Sequence, residues 1–143
     1  MKQIPEHPKI KLINFPVIHD RRGNLSFIEG EEHLPYDIKR VYYLYDVPSG
    51  ANRGAHAHIN TEETIVALAG SFDVILDDGL EKKRYHLNRP QFGLKISPGI
   101  WRELDNFSSC SVCLVLASEK YDEDDYIRNY KKFLASVKKS SKK

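Results

Sequence analysis

A chain of 143 residues, 41% of them hydrophobic and 29% charged, has the make-up of one soluble globular domain long enough to bury a core. Its formal net charge of +2 is too small to argue for a nucleic-acid partner. The longest apolar run, Val112–Ala117, falls far short of the ~20 residues that span a bilayer, and MKQIPEHPKIKL lacks the apolar stretch of a signal peptide, so a cytoplasmic protein with no membrane partner is expected.

Short β-like segments follow one another along the chain, separated by turn signals. Leu25–Glu29 comes after the turn residues Asp20–Asn24. Arg40–Val47 reads RVYYLYDV, rich in β-branched and aromatic residues, and Pro48-Ser49-Gly50 ends it. Strands are expected next at Arg53–Ile59 and Glu63–Ala69, with Gly70-Ser71 allowing a tight turn. Ser71–Leu76 and Lys82–Leu87 flank Asp77-Asp78-Gly79, a hairpin signal that pairs them antiparallel. Phe92–Ile96 and Val112–Ala117 supply later strands around the turn Ser97-Pro98-Gly99. Many short strands with regular turns predict an all-β sandwich or closed barrel.

Only the end reads as helix. In Asp122–Val137, residues Tyr126, Ile127, Tyr130, Phe133, Leu134 and Val137 follow the 3.6-residue period. Acidic residues open this segment and lysines close it, as a helix dipole prefers. The expected organisation is a single domain over 1–143: a barrel over about 14–118, a helix over 122–137, and a frayed tail over 138–143. The two cysteines, Cys110 and Cys113, form a lone C-x2-C, weak as a zinc signal. Three positions apart on a strand, one is expected buried and the other outward.

The chemistry concentrates in GANRGAHAHINTEETIVALAG. Gly50, His56, His58, Glu63 and Gly70 stand there with the spacing G-x5-H-x-H-x4-E-x6-G. Residues two apart on a strand share a face, so His56 and His58 aim into one cavity, and Glu63 can reach the same point from the next strand. This spacing resembles the first motif of the cupin superfamily, jelly-roll β-barrels whose mouths hold a metal or a substrate. The second cupin motif is altered. GLKISPGIWRELDN supplies Gly93, Pro98, Gly99 and Asn106, but Arg102 stands where the last histidine ligand is expected. A guanidinium has no lone pair for a cation and would repel one. The expectation is a cupin barrel without a metal or other cofactor, with a cavity suited to an anionic substrate.

A narrower resemblance covers about Asn14 to Tyr130. The stretches KRVYYLYDV, RGAHAH, VILDDG, SPGIWRELDNFS and LVLASEKYDEDDYIRNY look like the sugar 3,4-ketoisomerase family, which acts on dTDP-4-keto-6-deoxy-glucose. The resemblance implies a metal-free isomerase that turns a dTDP-linked 4-keto-6-deoxy sugar into its 3-keto isomer through an enediolate. It implies His56 as the base and His58 as its partner in shuttling or orienting. A tyrosine of RVYYLY is implied as proton donor or relay. Alternation puts Arg40 and Tyr42 on one face and Val41, Tyr43 and Tyr45 on the other, without saying which face lines the cavity; between Tyr42 and Tyr43 the preference goes to Tyr43. Arg53, Arg102, Arg40 and Arg22 are assigned to the diphosphate or the sugar oxygens, Arg22 being equally readable as a solvated turn residue. Trp101 either stacks on the base or plugs the barrel, and Glu63 pairs with a histidine.

The resemblance also implies a homodimer, with strands exchanged between subunits, and a place in making a 3-amino-3,6-dideoxy sugar for a bacterial surface glycan such as O-antigen. Galacto and gluco configurations at C4 of the product both stay open. The competing readings are a metal-dependent cupin oxygenase or isomerase, a non-catalytic nucleotide-sugar-binding cupin, and a 3,5-epimerase.

Overall fold

The structure, a computed structural model, describes residues 7–141, with the side chain of Ser141 outside the description. The strands are β1 (Ile10–Asn14), β2 (Val17–Ile18), β3 (Leu25–Ser26), β4 (Arg40–Leu44), β5 (Arg53–His58), β6 (Glu63–Ala69), β7 (Phe72–Asp77), β8 (Lys82–Leu87), β9 (Phe92–Ile96), β10 (Trp101–Asp105), β11 (Val112–Ala117) and β12 (Tyr126–Ile127), followed by one helix, α1 (Tyr130–Ser141). Two five-stranded antiparallel sheets carry the fold, ordered β1-β9-β6-β11-β4 and β12-β5-β10-β7-β8. This is the all-β, cupin-type jelly roll with a C-terminal helix that the sequence predicts.

Inward-facing side chains of the two sheets, among them Ile65, Phe72, Val74, Leu76, Leu94 and Ile100, make the main core. Their fully buried apolar surface is the dominant favourable term in folding. The outer face of the first sheet is covered by Phe15, Leu34 and Tyr36, whose hydroxyl bonds Thr64 and the Leu116 carbonyl at 2.7 Å each. On the outside of the second sheet, Phe133 of α1 packs against Ala57 and Trp101. The motif glycine Gly70 has φ +65°, and a Cβ there would lie 2.8 Å from Ser111 Cα, so no larger residue fits this turn.

The sequence reading misses β1, β2, β10 and β12 and misplaces the helix. β1 pairs with β9 along its whole length, and β10 sits between β5 and β7. β10 reads WRELD, where inward charge hides the apolar alternation that marks a strand. The strands of the two large sheets accordingly begin at Ile10, and the last of them, β12, ends at Ile127. The helix expected over 122–137 starts only at Tyr130, where Asn129 caps it through its side chain to Lys132 N–H at 3.0 Å. Residues 122–127 instead form a capped 3₁₀ turn, Glu123–Asp125, and then β12, which pairs Tyr126 with His58 and Ile127 with Ala57. Pairing to the barrel outweighs the local helical pattern here. The helix continues through Lys138–Ser141, so that part of the expected tail is ordered; Lys142, Lys143 and residues 1–6 lie outside the described residues. Cys113 is buried in β11, and Cys110 is exposed in the preceding turn at φ +57° rather than on the strand. Among the described residues, no helix is long and apolar enough to cross a membrane.

Candidate active site

A cavity of about 670 Å³ opens at one end of the barrel. β5 delivers the imidazoles to its floor. Gly54 begins the approach at φ +79°, and a Cβ there would lie 2.5 Å from Leu104 Cδ1, so glycine lets the strand sit against β10. Two positions on, His56 faces inward and lines the cavity, and His58, fully buried, stands behind it with the two Nε2 atoms 3.2 Å apart. Arg102 of β10 lies in register with His56 across the ladder, so its guanidinium enters beside that imidazole. β4 adds Arg40 and Tyr42, and β6 adds Glu63.

Glu63 organises these groups. Its Oε1 accepts from Arg102 Nη1 at 2.7 Å and lies 3.3 Å from His58 Nε2; its Oε2 accepts from the Tyr42 hydroxyl at 2.6 Å. Burial alone would raise this carboxyl's pKa. The neighbouring His58 ring and the charge of Arg102 outweigh burial and hold it at about 2. Burial first, and then the Glu63 charge, raises the Tyr42 hydroxyl well above an ordinary phenol, so Tyr42 keeps its proton. His56 is pushed the other way. Burial, then the charge of Arg102, depress its pKa to about 3, and the imidazole is neutral near pH 7.

Behind the histidines lies a second carboxylate. Asp125 Oδ2 is 3.0 Å from His58 Nδ1 and also meets the Thr61 hydroxyl, while Oδ1 accepts from Asn60 N–H at 2.6 Å. Burial works to raise its pKa, but the bonds from Thr61, Asn60 and His58 pull it below the usual carboxylate value.

His56, His58 and Glu63 are a metal donor set by type, with ligand atoms within 4.8 Å of one another. The set does not fit a cation as it stands. Both Glu63 oxygens are taken, one by a buried guanidinium, and that guanidinium belongs to Arg102, the motif position of the last histidine ligand.

Of the site residues expected from sequence, His56, Tyr42, Arg40, Glu63, Arg102 and, at the exposed rim, Arg53 line the cavity, with His58 directly behind. Two expectations are corrected. Tyr43 faces away from the cavity: Tyr42 pairs with inward Val115, so its neighbour points outward, 58% exposed and against Tyr45. Trp101 also faces outward and neither stacks in the cavity nor plugs the barrel; its ring packs under α1 against Phe133 and Tyr130. Of the two readings of Arg22, this chain shows the solvated turn residue, exposed and bonded to Asp20.

Sequence reasoning missed Asp125, Tyr121, Tyr126 and Arg128. The last three line the cavity, and the Arg128 guanidinium lies 4.3 Å above the Tyr126 ring while bonding Glu123 at 2.6 and 2.9 Å. The helical period read into Asp122–Val137 concealed Asp125, Tyr126 and Arg128. Two cations are left with open donors: Arg40 Nε and Nη2 and Arg102 Nε are buried without a hydrogen-bond partner. Unmet donors of this kind in a cavity mark where ligand oxygens bind.

With this geometry in hand, comparison with known proteins is specific. The family described as FdtA: WxcM-like, C-terminal matches residues 8–138.

The chain belongs to this family.

It is 47% identical over 130 residues to the TDP-4-oxo-6-deoxy-alpha-D-glucose-3,4-oxoisomerase of Aneurinibacillus thermoaerophilus, covering 89% of this chain and 94% of that protein. A sugar 3,4-ketoisomerase from Thermoanaerobacterium thermosaccharolyticum, solved in complex with TDP, is 44% identical and superposes with a TM-score of 0.91 over 93% of this chain and 97% of that one. A mutant of the same ketoisomerase, solved in complex with TDP-4-keto-6-deoxyglucose, is 42% identical, with a TM-score of 0.91 over 94% of this chain and 97% of that one.

Proposed function

We propose that this protein is a 3,4-ketoisomerase that converts TDP-4-keto-6-deoxyglucose to the corresponding 3-keto sugar. The observation that carries the reading is His56, a neutral imidazole on the floor of a cavity lined by the guanidinium groups of Arg40, Arg53, Arg102 and Arg128, with the Glu63 carboxylate held by Arg102. A base of this kind removes a proton that a neighbouring ketone has acidified.

His56 takes the C3 proton, the C3–H electron pair moves into the C3–C4 bond, and the C4 carbonyl becomes an oxyanion. Arg102 and Arg40 offer fixed positive charge to that enediolate, in a site where burial strengthens each contact. O4 gains a proton while the O3 hydroxyl loses one, with Tyr42 as donor and relay. The ketone reforms at C3, and C4 receives a proton. Nothing in this sequence needs a metal, because the carbonyl and the guanidiniums supply the electron sink.

Arg53 and Arg128 at the cavity rim suit the diphosphate, since guanidinium groups bind phosphate oxygens in a bidentate fork. We assign the protein to the cytoplasm, where sugar nucleotides are processed. A homodimer is part of the same proposal. It is supported by Val41, Tyr43, Tyr45 and Leu68, apolar or aromatic residues each at least half exposed on strands of the first sheet and the turn that follows β4. Sedimentation velocity checks it, with a single species near the 16.5 kDa of one chain as the contrary result.

The activity is tested by incubating the protein with TDP-4-keto-6-deoxyglucose and following the sugar by NMR. Loss of the C4 ketone with growth of a C3 ketone is the expected result. An unchanged sugar, or inversion at C5, contradicts it.

A further inference from the structure

Asp125 does not line the cavity, yet it is bonded more fully than any surface carboxylate needs to be. Its two oxygens take His58 Nδ1, the Thr61 hydroxyl and the Asn60 N–H, all from the turn and strand that hold the histidines. Asp125 also closes the 3₁₀ turn that leads into β12, and its carbonyl accepts from Ile59 N–H at 2.9 Å. The stretch that brings Tyr126 and Arg128 to the cavity is thus pinned to His58 through one side chain.

We propose that Asp125 is a positioning residue that keeps a proton on His58 Nδ1 and so reserves His58 Nε2 for proton exchange with His56. The argument is one of valence. An ionised carboxylate only accepts, so the nitrogen facing it at 3.0 Å carries hydrogen. The remaining nitrogen of His58, Nε2, faces His56 Nε2 at 3.2 Å and Glu63 Oε1 at 3.3 Å. Between two imidazole nitrogens at that distance only one hydrogen fits. In the resting site it sits on His56 Nε2, and the free lone pair of His56 is then on Nδ1.

When His56 gains the C3 proton at Nδ1, its Nε2 hydrogen passes to His58 Nε2. The positive charge then lies on His58 between two carboxylates, Asp125 and Glu63, instead of beside Arg102. Return of that hydrogen to His56 Nε2 frees the Nδ1 proton for C4. The hydrogen held on His58 is shielded from water, because His58 is fully buried.

The kinetic part of this inference rests on the ketoisomerase reading; the placement of the proton does not. The experiment is ¹⁵N NMR of the histidine ring nitrogens in the substrate-free protein, combined with steady-state kinetics on TDP-4-keto-6-deoxyglucose, for wild type, Asp125→Asn and Thr61→Val. In wild type, His58 Nδ1 is expected to be protonated. In Asp125→Asn the amide keeps the Asn60 bond and turns its NH₂ toward His58, so the proton moves to Nε2. There kcat is expected to fall by about 10²–10⁴-fold, the range seen when a base is lost or held in the wrong tautomer, with KM within about 3-fold. Thr61→Val removes another bond to the same carboxylate and is expected to leave both the tautomer and kcat, the latter within about 3-fold.

An unprotonated His58 Nδ1 in wild type overturns the proposal even if Asp125→Asn does not fold. So does an Asp125→Asn protein with wild-type kcat, or a Thr61→Val protein that loses as much activity with its tautomer intact. A wild type that leaves the sugar nucleotide unchanged sinks the activity reading alone, and the wild-type tautomer then decides the role of Asp125.

Discussion

Arg102 and Glu63 form an ion pair that is almost wholly out of water, Nη1 to Oε1 at 2.7 Å, with side chains 1% and 0% exposed. The pair does two things to the site. It spends on a fixed cation the carboxylate that a metal would need, and it places positive charge beside His56, where negative charge develops on the sugar.

Removing one partner should be costly. Arg102→Met leaves Glu63 buried with one cation gone, and losses of about 3–5 kcal/mol are typical of such a break. Chemical denaturation is expected to show a loss of that order for Arg102→Met and a smaller one for Arg102→Met combined with Glu63→Gln. Equal losses in the two proteins would mean that the pair does not couple as described.

The occupied carboxylate also sets what happens when metal is removed. Turnover of the sugar nucleotide is expected to survive exhaustive dialysis against a strong chelator, with kcat/KM within about 2-fold. Activity that disappears on dialysis and returns with one transition ion would restore the metal-dependent reading.

The two tyrosines left open by the sequence separate cleanly. Tyr42→Phe removes the hydroxyl that bonds Glu63 at 2.6 Å and is expected to lower kcat by about 10²-fold or more. Tyr43→Phe, on the outer face, is expected to stay within about 2-fold. Steady-state kinetics on both proteins checks this, and the reverse order would refute the assignment.

How much of this was readable beforehand follows from period and spacing. His56, His58 and Glu63 were legible because a two-residue strand period and fixed glycines leave few geometries. Tyr42 against Tyr43 was not, because alternation gives two faces without naming the inner one, and only the pairing of β4 to β11 decides it. Asp125 stayed hidden for a different reason. The stretch Asp122–Arg128 carries a helical pattern, and its long-range bonds to Asn60, Thr61 and His58, which no local signal reports, fix it as a turn and strand.

The depressed basicity of His56 makes the stability of the fold depend on pH. Its folded pKa, about 3, lies below the unfolded value of about 6.5, so between the two the unfolded chain binds the extra proton. Its contribution to stability is complete above pH ~6.5 and is lost as pH falls toward 3. Glu63, held at about 2, acts in the same direction at lower pH. Melting temperature is therefore expected to fall on acidification from pH ~6.5, and to fall less in His56→Asn. In kcat/KM the acid limb is expected well below the ordinary histidine value; a limb centred near pH ~6.5 would show that His56 is not the depressed base.

Transfer between adjacent carbons is the heart of the account, and solvent deuterium reads it most directly. Wild-type protein and His56→Asn would each be incubated with TDP-4-keto-6-deoxyglucose in D₂O, and hydrogen content at C3, C4 and C5 read by NMR. Wild type is expected to move the ketone from C4 to C3, with any deuterium confined to C3 of recovered substrate and C4 of product, and His56→Asn to do neither. Deuterium at C5, or ketone transfer that persists undiminished without the His56 imidazole, would contradict it.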